Sequence, residues 1–265
     1  MSFQPIVPFG GYSGWAFLNR TKDAQFETFQ NSQDIKRDVD YFKENISKIT
    51  SAEDLVADRQ LRKVALGAFG LGDDINNIFF IQKVLSDGTT DPDALANKLA
   101  DKRYLEFSKA FGFGDFDTAN TQLSTFGEEI SERYMELQFE IAIGNQDENL
   151  RLAMNLDREL EAIASKETSD NGRWYNVMGN TAVRSALETA LGLPSSLGAL
   201  DLDQQLGEFR DKTSRYFNGG EVSQFSDPEV RSELVRLFLV RSEIAAGSTT
   251  TSSASNALAL LTGAV

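Results

Sequence analysis

The chain has 265 residues, with 26 Lys plus Arg against 40 Asp plus Glu, for a net charge of −14. That acidic balance opposes binding to nucleic acid or to anionic lipid, both of which need a basic footprint. Histidine and cysteine are absent, which excludes Cys/His zinc sites, Ser-His-Asp triads, thiol nucleophiles and Glu-x-x-His di-iron sites.

Hydrophobic content of 41% is ordinary for a globular protein, and 19 phenylalanines imply a core filled largely with aromatic rings. No apolar run reaches the roughly 18–20 residues of a membrane span, and the N-terminus lacks the basic-then-apolar pattern of a cleaved signal peptide.

In chain order, residues 1–20 stand apart. Pro5, Pro8, Gly10, Gly11 and Gly14 argue against a long helix, yet Phe3, Ile6, Phe9, Tyr12, Trp15 and Phe17 are apolar. The segment reads as an irregular arm, either tucked against the body or docked on a partner. From Asp23 to about Ile49 apolar residues recur at threes and fours, with a slip near Asn31–Gln33. Thr50-Ser51-Ala52-Glu53 reads as a capping box for a short helix carrying Leu55 and Val56.

Leu61–Leu71 follows and is the organising stretch. It returns 122 positions later as Val183–Leu193, with Arg62/Arg184, Ala68/Ala190, Gly70/Gly192 and Leu71/Leu193 identical. Asp58 and Asn180 precede the two copies and are both good N-cap residues. Each helix is expected to stop at its glycine, with the next leucine folding back in a Schellman-type end. Pro194 then keeps the second helix from restarting.

Asp74–Leu85 is a heavily apolar helix ended by Asp87-Gly88, and Asp91-Pro92 reads as an N-cap with proline at N1. Lys102–Phe111 is a further helix, closed by a loop containing Gly112 and Gly114. Thr121–Ile143 and the apolar series Leu150–Ile163 are expected to form an antiparallel hairpin. After a polar linker, Lys166–Gly172, the order repeats: Trp174–Met178, the second organising helix, Leu200–Phe217, and a helix capped by Asp227-Pro228. This is read as a duplication. Gly247–Val265 is of low complexity and is expected to be disordered.

Carboxylates are plentiful, but no pair is singled out. Asp115/Asp117 and Asp201/Asp203 could offer oxygen ligands, yet neither continues into a calcium loop, and both read as turns or caps. Glu128, Glu129, Glu132, Glu136 and Glu140 read as a helix surface paired alongside Arg133. The Gly-x-Gly pairs Gly70/Gly72 and Gly112/Gly114 lack a dinucleotide-site context and read as helix ends and turns. Trp15, Trp174 and Tyr175 read as packed aromatics rather than a ligand platform.

Several phrases carry a resemblance: Asp40–Leu71 (DYFKENISKITSAEDLVADRQLRKVALGAFGL), Asp91–Tyr104 (DPDALANKLADKRY), Arg173–Asn180 (RWYNVMGN) and Ala190–Pro194 (ALGLP). Together with the opening Ser2–Thr21, they resemble an alphaproteobacterial family, domain of unknown function 1217, over about residues 1–245. Members are frequently described as flagellar proteins, so the resemblance implies a place among flagellar components. It carries over no catalytic residue.

The expectation is an all-α single domain over residues 1–246. It consists of an irregular N-terminal arm (1–22), a first helical unit (23–120), a central helical hairpin (121–166) and a second unit (167–246), followed by a disordered tail (247–265). The expected function is a non-enzymatic, flagellum-associated structural or protein-interaction component, residing in the flagellum or the cytoplasm. It would dock on other flagellar proteins through the arm or a helical face, without nucleic acid, metal or cofactor. A cytoplasmic accessory or chaperone-like factor for flagellar assembly is the alternative, and a carboxylate-based hydrolase is the third reading.

Overall fold

The computed structural model describes the backbone of residues 3–261 and the side chains of residues 3–247. Among the described residues the fold is all-α, with thirteen α-helices, five short 3-10 turns and no strand. No helix there is long and apolar enough to cross a membrane. The chain divides into two compact units, Met1–Ile6 with Arg20–Ile143, and Val7–Asn19 with Gly144–Val265.

The first helix corrects the reading of the N-terminal arm, 1–22, as irregular from residue 11 onward, while residues 3–10 are without helix. α1 runs Gly11–Gln30, and its glycines sit where the chain enters rather than where it would break. Gly11 takes a positive φ of 58°, and a Cβ on Gly14 would collide with the carbonyl of Phe9. Glycine is the residue that fits both places. Burial of Trp15 and Leu18 in the second unit, and of Phe29 in the first, outweighs the propensity cost. In the first unit Gln25 holds the preceding segment, accepting from the Ile6 N–H at 2.6 Å and donating to the Ile6 carbonyl at 3.2 Å.

The first unit continues with α2 (Gln33–Asn45), α3 (Ala52–Ala57), α4 (Arg59–Gly67), α5 (Ile78–Asp87), α6 (Leu95–Lys98), α7 (Arg103–Phe111) and α8 (Phe126–Gly144). The slip at Asn31–Gln33 is a true break between α1 and α2. The cap of α3 is Ser51, which accepts from the Asp54 N–H at 3.1 Å, one residue later than the expected box. Asp91-Pro92 opens only a turn before the four residues of α6. α4 lies against α2 and α3, and the Leu61, Val64, Ala65 and Leu66 side chains are fully buried with Phe107, Phe111 and Phe126.

The second unit holds α9 (Glu148–Ala164), α10 (Asp170–Gly179), α11 (Thr181–Leu191), α12 (Leu202–Tyr216) and α13 (Pro228–Leu261). α11 packs on α9, α10, α12 and α13. Trp174 is buried against Phe209, with ring centroids 5.6 Å apart, and its indole N–H donates to the Gly220 carbonyl at 2.9 Å. The two helices of the expected central hairpin are α8 and α9, and the division of the chain falls at their junction. The expected disordered tail, 247–265, lies outside the described residues in its side chains from 248 and in its backbone from 262, while α13 takes in the backbone of 247–261.

Both organising helices end as their sequences imply. Gly70 and Gly192 take left-handed φ values of 67° and 64°. The Leu71 N–H reaches back to the Leu66 carbonyl at 2.9 Å, and the Leu193 N–H to the Glu188 carbonyl at 2.8 Å. These are the 6→1 bonds of a Schellman end. Each end is covered by a guanidinium from a later helix: Arg103 donates to the Gly70 carbonyl and Arg241 to the Ala190 carbonyl, both at 2.5 Å.

Replacing Gly70 or Gly192 with alanine should cost about 1–2 kcal/mol, since a Cβ strains the left-handed conformation. Gly207, in α12 with open space about its Cβ position, is the control, and Gly207→Ala should leave stability unchanged or raise it by up to about 1 kcal/mol. Urea unfolding of the three variants checks this, and equal losses would contradict it.

Candidate functional site

The carboxylates singled out in the sequence are engaged in structure at separate places. Asp115 accepts from the Thr89 N–H at 2.5 Å, the Thr89 hydroxyl at 2.8 Å and the Thr90 N–H at 3.0 Å, locking the turn after α5. Asp117 is exposed. Asp201 caps α12 by accepting from the Gln204 N–H at 2.9 Å, and Asp203 lies 3.5 Å from the Tyr175 hydroxyl. On α8, Glu128 pairs with Lys43 at 2.7 Å, and Arg133 pairs with Glu106 at 3.3 Å while lying over the Phe69 ring. Both ion pairs therefore reach other helices rather than run along α8. Glu140 is buried, which corrects its placement on a helix surface. Gly112 closes α7 with φ 69°, and Gly114 packs on the backbone of Gly88.

A cleft of about 630 Å³ in the first unit gathers a different set of residues. One face of α4 supplies Arg59, Gln60, Lys63 and Gly67, at helical spacing. α2 supplies Arg37 and Asp38, α8 supplies Tyr134 and Gln138, and Gly72 and Ile75 complete the wall. Sequence reading did not find this group, because Asp38 and Tyr134 lie 96 positions apart and no local pattern links them.

Its geometry follows from packing. Gly67 has no Cβ, and one built there would stand 2.7 Å from the Tyr134 ring, so the ring lies directly on the α4 backbone. Tyr134 is buried, and burial together with the nearby Asp38 charge pushes its phenol well above the usual range. It therefore stays protonated and faces the Asp38 carboxylate at 3.5 Å. Asp38, only 4% exposed, is ion-paired with Lys63, and the Arg37 guanidinium lies 3.7 Å from it. Among the described residues no carboxylate forms an ion pair with Arg59.

Asp58 fixes the start of α4 and so the place of Arg59 and Gln60. Its carboxylate accepts from the Gln60 N–H at 2.8 Å, the Leu61 N–H at 3.0 Å and the Tyr41 hydroxyl at 2.7 Å. Burial alone would raise its pKa, but these bonds and the Arg62 charge together hold the carboxyl below its ordinary value.

A model of proteins of unknown function, DUF1217, matches residues 68–230. The chain belongs to that family. The fold of this DUF1217 chain is also that of a crystallographically solved protein from Agrobacterium tumefaciens, a structural-genomics target. The two agree with a TM-score of 0.72 at 24% identity, over 92% of this chain and 99% of that one. No curated protein matches.

Because the folded pKa of Asp58 is depressed, its contribution is present above the ordinary carboxyl value of 3.8 and is lost as pH falls through the folded value. Asp58→Asn keeps a capping side chain but removes that titration. Its stability should therefore fall less steeply than wild type below about pH 4. Urea unfolding across pH 2–7 tests this, and parallel curves would contradict it.

Proposed function

We propose that this chain is a non-enzymatic structural or protein-interaction component associated with the flagellum. The observation that carries the interaction reading is Phe79. It is the second residue of α5, 87% exposed, and follows the exposed Ile78 that opens the helix. Adjacent exposed apolar side chains such as these offer contact area to a partner. The flagellar context comes from the resemblance of Asp40–Leu71 and the other phrases to family members so described. In the N-terminal segment, Ile6 and Phe9 are also exposed and offer a second contact for a flagellar partner.

The same proposal takes the two units as copies of one ancestral module. Its support is the order of elements at a near-constant offset. α2, α3, α4, the 3-10 turn Gly72–Asn76 and α5 correspond to α9, α10, α11, the turn Ser195–Ala199 and α12. The pairings α2 with α4 and α3 with α5 have counterparts in α9 with α11 and α10 with α12.

The test is a deletion strain complemented with wild type or with Phe79→Ser. Loss of swimming, restored by wild type but not by Phe79→Ser at unchanged melting temperature, is the expected result. Tagged protein should be recovered with filament–hook–rod material. Normal swimming with complete filaments in the deletion strain would overturn the proposal, and purely soluble recovery would favour an assembly factor.

A further inference from the structure

The cleft between α2, α4 and α8 is a concentration of positive charge in a protein of net charge −14. Arg37, Arg59 and Lys63 line it against one carboxylate, Asp38, whose charge is already answered by Lys63. Arg59 forms no ion pair among the described residues, and Arg37 has only distant acids, Asp34 and Asp38, each at 3.7 Å. The Arg59 guanidinium is thus open to an anion, and that of Arg37 is held only by these long pairs. The amides of Gln60 and Gln138 stand in the same wall. Its volume falls within the range of small-molecule sites, about 300–1,000 Å³.

The stretch of the second unit at the same spacing lacks these charges. At the 122-residue offset, the places of Arg37, Asp38, Arg59 and Lys63 are taken by Glu159, Leu160, Thr181 and Ser185. α9 and α11 pack without them. This comparison borrows the correspondence of the two units, whereas the charge and lining of the cleft stand independently of it.

We infer that the α2–α4–α8 cleft is a binding site for a small organic dicarboxylate. Arg37 and Arg59 pair with the two carboxylates, since guanidinium matches carboxylate geometry in bidentate fashion. The Ile75 side chain faces the carbon chain between them, with the buried Tyr134 ring behind the wall. Lys63, anchored by Asp38, adds positive potential without being the principal ligand. An inorganic anion would leave the apolar part of the wall unused.

The test is isothermal titration calorimetry of the full chain with succinate and, separately, inorganic phosphate, near 0.15 M ionic strength. Saturable succinate binding, tighter than phosphate, is expected. Arg59→Gln and Arg37→Gln should each weaken it by about tenfold or more. Lys109→Gln, an exposed cation on α7, should leave it unchanged. Circular dichroism melts of each variant establish that the fold is retained. Absence of saturable succinate binding, equal affinity in Arg59→Gln, or phosphate binding as tight as succinate would overturn the inference.

Discussion

A helix can be stopped at a fixed residue only if its last carbonyls find donors and the chain can turn away, and α4 and α11 meet both demands in the same way. One glycine in the left-handed region turns the backbone, and the leucine after it returns its N–H to the helix. A guanidinium from a later helix satisfies a further carbonyl. The leucine side chains are buried as a result, so the turn is tied into the core as well as closed. Small residues in these helices, Ala65 and Ala68 in one and Ala186 and Ala190 in the other, are fully or almost fully buried and let neighbouring helices approach. Burying each Val or Leu on the same face contributes about 1.5–3 kcal/mol, so the position of the stop decides which side chains reach the core.

Local signals were legible for that reason. The capping roles of Asp58 and Asn180, the glycine ends, the break near Asn31–Gln33 and the start of α13 at Pro228 all involve groups within a few residues of one another. The misreadings arose where distant packing decided the outcome. α1 begins among glycines because Trp15 and Leu18 are buried by other parts of the chain. Asp91 does cap a turn, its carboxylate accepting from the Asp93 N–H at 2.8 Å, but that turn ends at Ala94, whose backbone leaves the helical range with ψ 143° before α6 begins. The cleft was not legible at all. Its arginines and lysine look like ordinary solvated helix residues until α2, α4 and α8 are brought together.

The distribution of charge is the third consequence. Much of the acidic excess is engaged in local structure: Asp147 and Asp201 cap helices, Asp87 pairs with Lys83, and Asp115 closes a turn. Arg231, buried in the second unit, joins Asp157 and Glu161 of α9 to the Phe225 carbonyl. Most basic groups are likewise engaged, whereas Arg59 is among those that form no ion pair in the described residues. Exposed pairs of this kind contribute little stability individually, so their effect lies mainly in orienting loops and helix ends.

Native-state hydrogen exchange tests most directly whether α4 and α11 are the frames on which the two units are built. Exchange rates follow local opening, and amides that open only with the whole unit exchange slowest. The account predicts that amides within α4 and α11, together with those of Leu71 and Leu193, rank among the slowest of their units. Exchange there as fast as in the short α6 would contradict it.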